Sequence, residues 1–309
     1  MKRRKVSSCL LLAGVLLLLI ISSGCKAKPK DERPLIITSI YPYEMLLQEM
    51  VGDGVRVQSL IPASASPHTW SPKAKDIKKL DEAKLLIMNG LGLEEQLTDA
   101  FKQRSDKLID LSALIGVQQA EATEKHQHAE GHHHGDINPH IWLSPQYLIR
   151  MAMMLADQLQ SHFPEQTAAI NQNTMTLVNN LSSMHQQISK DRATMDNPVI
   201  ITYHDSFHHF AKDYDIKVAA TVQPSPGKEP TSKELAALGK IIKANNITTI
   251  FVEPQMDKRS AKVLADEFTL DILTLDPLGH EFKVKRITDL IWTNWQNIKI
   301  ALLGVDILP

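Results

Sequence analysis

Residues 164–194 read PEQTAAINQNTMTLVNNLSSMHQQISKDRAT, a stretch without glycine and with proline only at its first position. Apolar residues at spacings of 7, 4, 3 and 4 form one stripe of an α-helix: Ile170, Leu177, Leu181, Met184 and Ile188. About 30 residues at 1.5 Å each give a rod of roughly 45 Å. The stretch therefore predicts one long helix that joins two domains, and an ordinary long surface helix is the alternative.

Short β-branched runs alternate with amphipathic segments on both sides of this helix, which is typical of parallel α/β sheets. The predicted strands of the first group are Leu35–Ile40, Val55–Ile61, Lys84–Met88 and Lys107–Asp110. Those of the second are Pro198–Thr202, Ile216–Thr221, Thr248–Val252 and Asp271–Leu275. We therefore predict an α/β protein with an N-terminal lobe at 35–163, a linking helix at 164–194 and a C-terminal lobe at 195–309.

Three helix starts carry capping signals. Ser71-Pro72 and Ser144-Pro145 each place proline directly after a serine, and Thr231 is followed three residues later by Glu234. Serine before a first-turn proline predicts an N-cap, and the Thr/Glu pair predicts a capping box. The predicted strands thus run into helix starts, where open α/β sheets bind their ligands.

Composition narrows the function classes. The 309 residues include 34 Lys+Arg, 35 Asp+Glu, 13 His and 2 Cys, with a formal net charge of −1. Hydrophobic residues make up 43%, which is enough to bury a normal globular core. No basic patch occurs beyond the first few residues, so nucleic acid is not an expected partner.

The amino terminus resembles a bacterial lipoprotein signal. Basic residues at 2–5 precede an apolar run from Leu10 to Ile21, which is too short to span a membrane, and then Ser22-Ser23-Gly24-Cys25. The resemblance implies that residues 1–24 are removed, that Cys25 carries a lipid, and that 25–34 form a tether. We therefore expect an extracytoplasmic, lipid-anchored monomer at a bacterial cell surface or in a periplasm. With Cys9 removed, no free thiolate remains as a ligand or nucleophile.

A histidine-rich segment lies at 124–135, and its five histidines fall within the sequence HQHAEGHHHGD (126–136). It has no apolar periodicity, so we expect a solvated loop. Dense imidazoles bind transition metals with little selectivity, and a merely solubilising loop is the alternative. The predicted auxiliary metal-binding residues are His126, His128, His132, His133 and His134.

Four further residues lie at strand and helix junctions. His68 stands before the Ser71-Pro72 signal, His140 stands before Ser144-Pro145, and His204 and Asp276 each follow a predicted strand. A single junction histidine is more often a hydrogen-bonded loop residue than a ligand. Three nitrogens and one carboxylate together suit zinc, which takes four such ligands.

Six stretches then resemble one family. They are PHTWSPKAKD (67–76), NPHIWLSP (138–145), ITYHDSFHHFAKDY (201–214), PSPGKEPTSKELAAL (224–238), IFVEPQ (250–255) and LDPLG (275–279). In this order they resemble the zinc and manganese solute-binding lipoproteins of bacterial ABC importers, and they cover nearly all of the chain after the leader.

The resemblance implies two α/β lobes joined by a rigid long helix, with the metal in the cleft between them. It implies His68, His140 and His204 as ligands, with Asp276 as the fourth ligand or the neighbour of an open position. Manganese binders of this family generally carry Glu where His204 stands, so Zn²⁺ is favoured over Mn²⁺. The implied partner is a membrane permease with a cytoplasmic ATPase, and the protein itself is not expected to be an enzyme.

Two other classes remain as alternatives. His204 and His208 are four residues apart with Asp205 between them, which resembles the HExxH helix of zinc hydrolases with Asp in place of Glu. A surface adhesion protein is also compatible with a lipoprotein. Glu253, His209 and His280 are weaker candidates near the predicted site.

Overall fold

The computed structural model describes residues 31–117, 137–223 and 227–304. The chain divides into two units, Met1–Arg33 and Pro34–Pro309, and both sheets lie in the second. The predicted leader, Cys25 and the five histidines of the histidine-rich segment lie outside the described residues. No helix in the described part of the chain combines the length and the apolar character needed to cross a membrane.

The first sheet has four parallel strands in the order β2-β1-β3-β4. They are β1 (Leu35–Thr38), β2 (Arg56–Ser59), β3 (Leu85–Met88) and β4 (Leu108–Asp110). Every residue of β1 and β3 is buried, as expected for central strands covered by helices on both faces. The helices of this N-terminal lobe are α1 (Tyr41–Val51), α2 (Ala74–Glu82), α3 (Thr98–Lys102), α4 (Leu111–Leu114) and α5 (Pro145–His162).

The second sheet repeats this topology in the order β6-β5-β7-β8, again all parallel. Its strands are β5 (Val199–Thr202), β6 (Lys217–Thr221), β7 (Thr249–Val252) and β8 (Asp271–Thr274). The helices of this C-terminal lobe are α7 (His208–Asp213), α8 (Ser232–Ala244), α9 (Arg259–Phe268) and α10 (Ile287–Leu303). The predicted α/β class with two parallel sheets is confirmed.

The predicted long helix is α6 (Thr167–Arg192), preceded by a 3-10 turn at Pro164–Gln166. Its 26 residues span roughly 39 Å. The buried stripe contains all five predicted residues and also Thr174. The helix packs along α5 and α1 of the first lobe and contacts α10 of the second. It is therefore part of the shared core as well as a connection between the lobes.

The capping signals have mixed outcomes. Ser144 Oγ accepts a hydrogen bond from the Tyr147 main-chain N–H at 3.1 Å, and Thr231 forms the predicted capping box with Glu234. The Ser71-Pro72 prediction is wrong, because α2 begins only at Ala74. There Lys73 is the N-cap residue, and its N–H donates to Asp76 Oδ2 at 2.9 Å. The extra residues before α2 lengthen the loop that contains His68.

Buried apolar side chains form two clusters. The larger one contains both faces of the first sheet, the buried stripe of α6, and parts of α7 and α10 from the C-terminal lobe. The smaller cluster lies wholly within the C-terminal lobe, between its sheet and α8 and α9. Trp142 Nε1 also donates to the Pro277 carbonyl at 2.8 Å, so a hydrogen bond joins the lobes beside the larger core.

Candidate metal centre

Three of the four predicted junction residues meet at the carboxyl ends of the strands. His68 lies in the loop after β2, His140 lies in the segment before α5, and His204 follows β5 by two residues. His140 and His204 are only 4% and 5% exposed, and His68 is half-buried. Parallel strands of the two lobes end at this boundary, and such ends are where α/β sheets bind ligands.

The three imidazoles face one another closely. Each offers one nitrogen, and the three nitrogens all lie within 4.8 Å of one another. The Nε2 atoms of His68 and His140 are 3.1 Å apart. Two nitrogens bound to one tetrahedral Zn²⁺ at about 2.0–2.1 Å would lie roughly 3.3 Å apart. The spacing therefore suits an ion between the rings with little rearrangement.

The site favours neutral imidazole, which is the form that binds metals. Burial lowers the pKa of His140 well below its usual 6.5, and the neighbouring His204 and His68 lower it further. Removing the ring from water disfavours its charged form, and nearby positive charge would add repulsion. His140 therefore stays available as a nitrogen ligand at pH values where a solvent-exposed histidine is partly protonated.

In two of the three rings, the Nδ1 atom lies close to an oxygen atom of the protein. His140 Nδ1 lies 2.8 Å from the Asn138 side-chain oxygen, and His204 Nδ1 lies 3.4 Å from the Gln223 carbonyl. Such contacts orient ligating imidazoles in metal sites. The Nε2 atoms are thereby left as the nitrogens available for a metal ion.

Asp276 lies close to this region but outside the histidine group. It follows β8, is fully buried, and its carboxylate oxygens accept five hydrogen bonds. Four of the donors are main-chain N–H groups of residues 278–282, and the fifth is the Gln255 side-chain amide. The carboxylate thus stabilises the turn after β8, and direct coordination of a metal by Asp276 stays a prediction.

Glu253 is a buried carboxyl group beside the site. Its Oε1 accepts a hydrogen bond from Ser206 Oγ at 2.6 Å. Burial is the main cause that raises the pKa of Glu253 to about 8; the bond from Ser206 opposes the rise, and the charges of Asp276 and Asp205 contribute to it.

The histidines after His204 occupy two different environments. His208 is half-buried and its Nδ1 lies 3.6 Å from Asp205 Oδ2, whereas His209 is buried and its Nε2 donates to the Asn138 carbonyl at 2.7 Å. His280 is exposed on the turn after Asp276. Sequence reasoning missed the contact of His209, because no local pattern shows that a residue of α7 reaches the segment before α5.

The helix required by the hydrolase alternative is not formed. His204 has an extended backbone, Asp205–Phe207 form a 3-10 turn, and α7 begins only at His208. The two histidines therefore do not share one helical face, as the HExxH arrangement requires. Within the described residues, the group that could bind a metal contains His204 without His208.

Comparisons with known proteins agree with this architecture. The family described as "ZnuA: Zinc-uptake complex component A periplasmic" matches residues 36–301. The zinc-binding lipoprotein AdcA of Streptococcus pneumoniae is 28% identical over 282 residues, covering 89% of this chain and 55% of AdcA. The zinc-binding protein AdcA of Streptococcus pyogenes serotype M3 is 27% identical over 289 residues, covering 88% of this chain and 56% of that protein. The chain thus spans about half the length of these curated relatives.

Among solved structures, a ZnuA deletion mutant with zinc bound superposes with a TM-score of 0.73 at 27% identity. The match covers 88% of this chain and 98% of that one. The two four-stranded sheets and the long helix therefore have a close counterpart in a zinc-bound protein. Because the family match extends across both sheets, the long helix and all three clustered histidines, this chain belongs to the ZnuA family of periplasmic zinc-uptake components.

Proposed function

We propose that the protein captures Zn²⁺ outside the cytoplasm and delivers it to an ABC-type metal importer. The observation that carries this proposal is the meeting of three histidine side chains, two from the first half of the chain and one from the second, with their nitrogens within 4.8 Å of one another. A zinc-bound ZnuA structure with the same fold supports the choice of metal. Zinc is the cargo in this proposal, so the protein must release it to the importer as well as bind it.

The proposed ligands are the Nε2 atoms of His68, His140 and His204. Asp276 is proposed as a fourth ligand only if some of the five hydrogen bonds to its carboxylate break when the metal binds. Three imidazoles favour Zn²⁺ over the harder Mn²⁺, whereas Ni²⁺ and Cu²⁺ would compete by intrinsic affinity. Mn²⁺ is therefore the less favoured cargo.

The proposed setting follows from the sequence and from the relatives. We place the protein outside the cytoplasm, anchored through a lipid on Cys25 and working as a monomer with a permease and its cytoplasmic ATPase. AdcA of Streptococcus pneumoniae is named a lipoprotein, which supports the anchor. The two lobes are proposed at 35–163 and 195–309, with the link at 164–194.

Metal analysis of the tagless protein tests the cargo. After the protein is stripped with a chelator and reloaded, one tightly bound zinc per chain is expected, and Zn²⁺ should displace Mn²⁺ in a direct competition. Tight binding of Mn²⁺ in preference to Zn²⁺, or the absence of a tight zinc, would contradict the proposal.

The histidine-rich segment is proposed as an auxiliary zinc-binding loop that raises the local zinc concentration. Deletion of residues 124–135 should leave the tight zinc in place and remove only weaker binding, as measured by titration against chelators of graded affinity. Loss of the tight zinc in this deletion would instead assign the main site to the loop.

A matched pair of variants tests the site. His204→Ala should weaken zinc binding by roughly 100-fold or more, because it removes one of three nitrogen ligands. His208→Ala is the control, since His208 is only half-buried and lies outside the histidine group. An equal loss in both variants, together with zinc-dependent hydrolysis of a peptide or ester, would favour the hydrolase alternative.

A further inference from the structure

Asn138 lies beside the proposed metal site and contacts both lobes through one side chain. Its Oδ1 is 3.0 Å from the His140 main-chain N and 2.8 Å from His140 Nδ1. Its Nδ2 is 2.7 Å from the Asp205 carbonyl and 3.0 Å from Asp205 Oδ2. His140 is a proposed ligand from the first half of the chain, and Asp205 directly follows His204, the ligand from the second.

The partners determine which way the Asn138 amide faces. The main-chain N–H of His140 can only donate, and the main-chain carbonyl of Asp205 can only accept. Oδ1 must therefore face His140, and the amide NH₂ must face Asp205. A reversed amide would bring two donors together on one side and two acceptors on the other.

This orientation determines the tautomer of His140. Because Oδ1 only accepts, Nδ1 of His140 must carry the hydrogen in their 2.8 Å contact. The other nitrogen of a neutral imidazole is then the one with the lone pair. That nitrogen is Nε2, which lies 3.1 Å from His68 Nε2 in the histidine group.

The same residue also fixes the spacing between the lobes at the site. Besides the two bonds to Asp205, the Asn138 carbonyl accepts a hydrogen bond from His209 Nε2 at 2.7 Å. His209 is 1% exposed, so this bond is shielded from water. Three hydrogen bonds thus join Asn138 to the segment that follows His204. Asn138 itself lies two residues before His140.

We infer that Asn138 is a positioning residue for zinc binding: it selects the Nδ1–H tautomer of His140 and holds that ring in register with His204. The inference rests on the proposed zinc function. Loss of a group that orients a metal ligand typically lowers metal affinity about 10- to 100-fold. Asn138 touches no metal itself, so its effect passes through the imidazole of His140.

The test compares three variants by zinc competition against a chelator. Asn138→Ala removes both contacts and should weaken zinc binding about 10- to 100-fold while one zinc per chain is kept. Asn138→Asp keeps an acceptor for His140 but turns a carboxylate oxygen toward the Asp205 carbonyl and carboxylate, which repel it. Zinc binding should therefore weaken up to about tenfold, with the acceptor for His140 retained. Asn173→Ala is the matched control, because the side-chain amide of Asn173 also donates a hydrogen bond to a distant carbonyl, that of Met50, at 3.2 Å. It should bind zinc as the unaltered protein does.

A spectroscopic measurement separates positioning from general loosening. In ¹⁵N-histidine-labelled protein stripped of metal, the His140 signals, identified by their absence in His140→Ala, should show protonated Nδ1 in the unaltered protein and in Asn138→Asp. In Asn138→Ala the Nδ1–H preference should be lost. If Asn138→Ala does not fold, Asn138→Asp alone tests the inference. It should retain the Nδ1–H signal of His140 and bind zinc measurably more weakly than the unaltered protein does.

Two results would overturn the inference. One is zinc affinity in Asn138→Ala equal to that of the unaltered protein, and the other is an unchanged His140 tautomer in that variant. Neither result would contradict the proposed function, which fails if the unaltered protein binds no tight zinc or binds Mn²⁺ in preference to Zn²⁺.

Discussion

The two lobes have the same strand order and similar strand burial, but they pack in different clusters. In both sheets the central strands are almost wholly buried, β1 and β3 in the first and β5 and β7 in the second, whereas no residue of the edge strands is buried. The first sheet belongs to the large core that includes α6, and much of the second sheet packs on a smaller core of its own. Equal topology thus does not imply one shared core, because only part of the second lobe packs in the large cluster.

Strand β5 lies where these two cores meet. Ile200 belongs to the large core and Ile201 to the smaller one, so neighbouring residues on opposite faces of β5 pack in different clusters. His204 follows this strand by two residues. The candidate ligand of the second lobe is therefore attached to a strand that packs in both cores, which helps to place it beside ligands from the first lobe.

The largest effect is expected from damage to the shared core. Trp295 on α10 is fully buried, and its ring lies near those of Phe210 and Tyr214. Trp295→Ala should lower the free energy of unfolding by about 3–5 kcal/mol in chemical denaturation, because a large cavity remains. Trp292 on the same helix is 37% exposed, and its alanine variant is the control. Equal losses in the two variants would contradict a core shared by both lobes.

A pH effect of roughly 3 kcal/mol is expected from the buried contact of His209 between the lobes. Burial lowers the pKa of His209 to about 4, against 6.5 when unfolded. Between these values the unfolded chain binds more protons, so stability is complete above pH 6.5 and falls as the pH drops through about 4. His209→Gln keeps a donor for the Asn138 carbonyl but cannot titrate.

Denaturation of both proteins at pH 4, 5, 6 and 7 measures this effect. The variant should lose less stability on acidification than the unaltered protein. It should keep some pH dependence, because burial also lowers the pKa of His140 and of His185. Identical pH profiles would remove His209 from the explanation.

A smaller and more local effect is expected in the second core. Leu264 on α9 is 1% exposed and packs only in the smaller cluster. Leu264→Ala should cost about 2–3 kcal/mol. Faster amide hydrogen exchange should be confined to β7, β8 and the helices beside them. Equal acceleration in β1 would show that the two cores unfold as one.

The smallest effects are expected at two helix caps, one at the boundary between the lobes and one on the surface. Ser144 is fully buried, caps α5, and donates to Asp213 Oδ2 at 2.6 Å, whereas Thr231 is exposed and caps α8. Ser144→Ala should cost about 1–2 kcal/mol and Thr231→Ala about 0.5–1 kcal/mol.

Burial already raises the pKa of Asp213 to about 6, and the bond from Ser144 opposes that rise. Its loss should raise the pKa of Asp213 further, which NMR titration of the carboxyl carbon would detect. A larger cost for Thr231→Ala than for Ser144→Ala would reverse the comparison.

Most secondary structure was predictable because its signals are local. All eight strands form within a few residues of the predicted ranges, and α6 buries the predicted stripe. The start of α2 was not predictable, since Ser71-Pro72 satisfies a local capping rule that the chain does not use. Local propensity is a weak preference, and here the helix starts two residues later than the capping signal predicts.

The candidate site was only partly readable from the sequence. Position at junctions between predicted strands and helix starts pointed to His68, His140 and His204, and the structure brings these three together. The same argument pointed to Asp276, whose carboxylate instead accepts five hydrogen bonds from its own turn and Gln255. Strand ends locate a residue at the right edge of a sheet but do not determine where its side chain points.

The sequence by itself determined the strands, the long helix, the buried stripe and the three histidines at the junctions, because hydrophobic periodicity and turn chemistry act over a few residues. Only the tertiary structure decided that Asn138 contacts both His140 and Asp205, and that His209 reaches the Asn138 carbonyl. The contacts of Asn138 with Asp205 and with His209 join residues 67 and 71 positions apart across the two lobes. They depend on how the shared core orients one sheet relative to the other, and no local sequence pattern predicts that orientation.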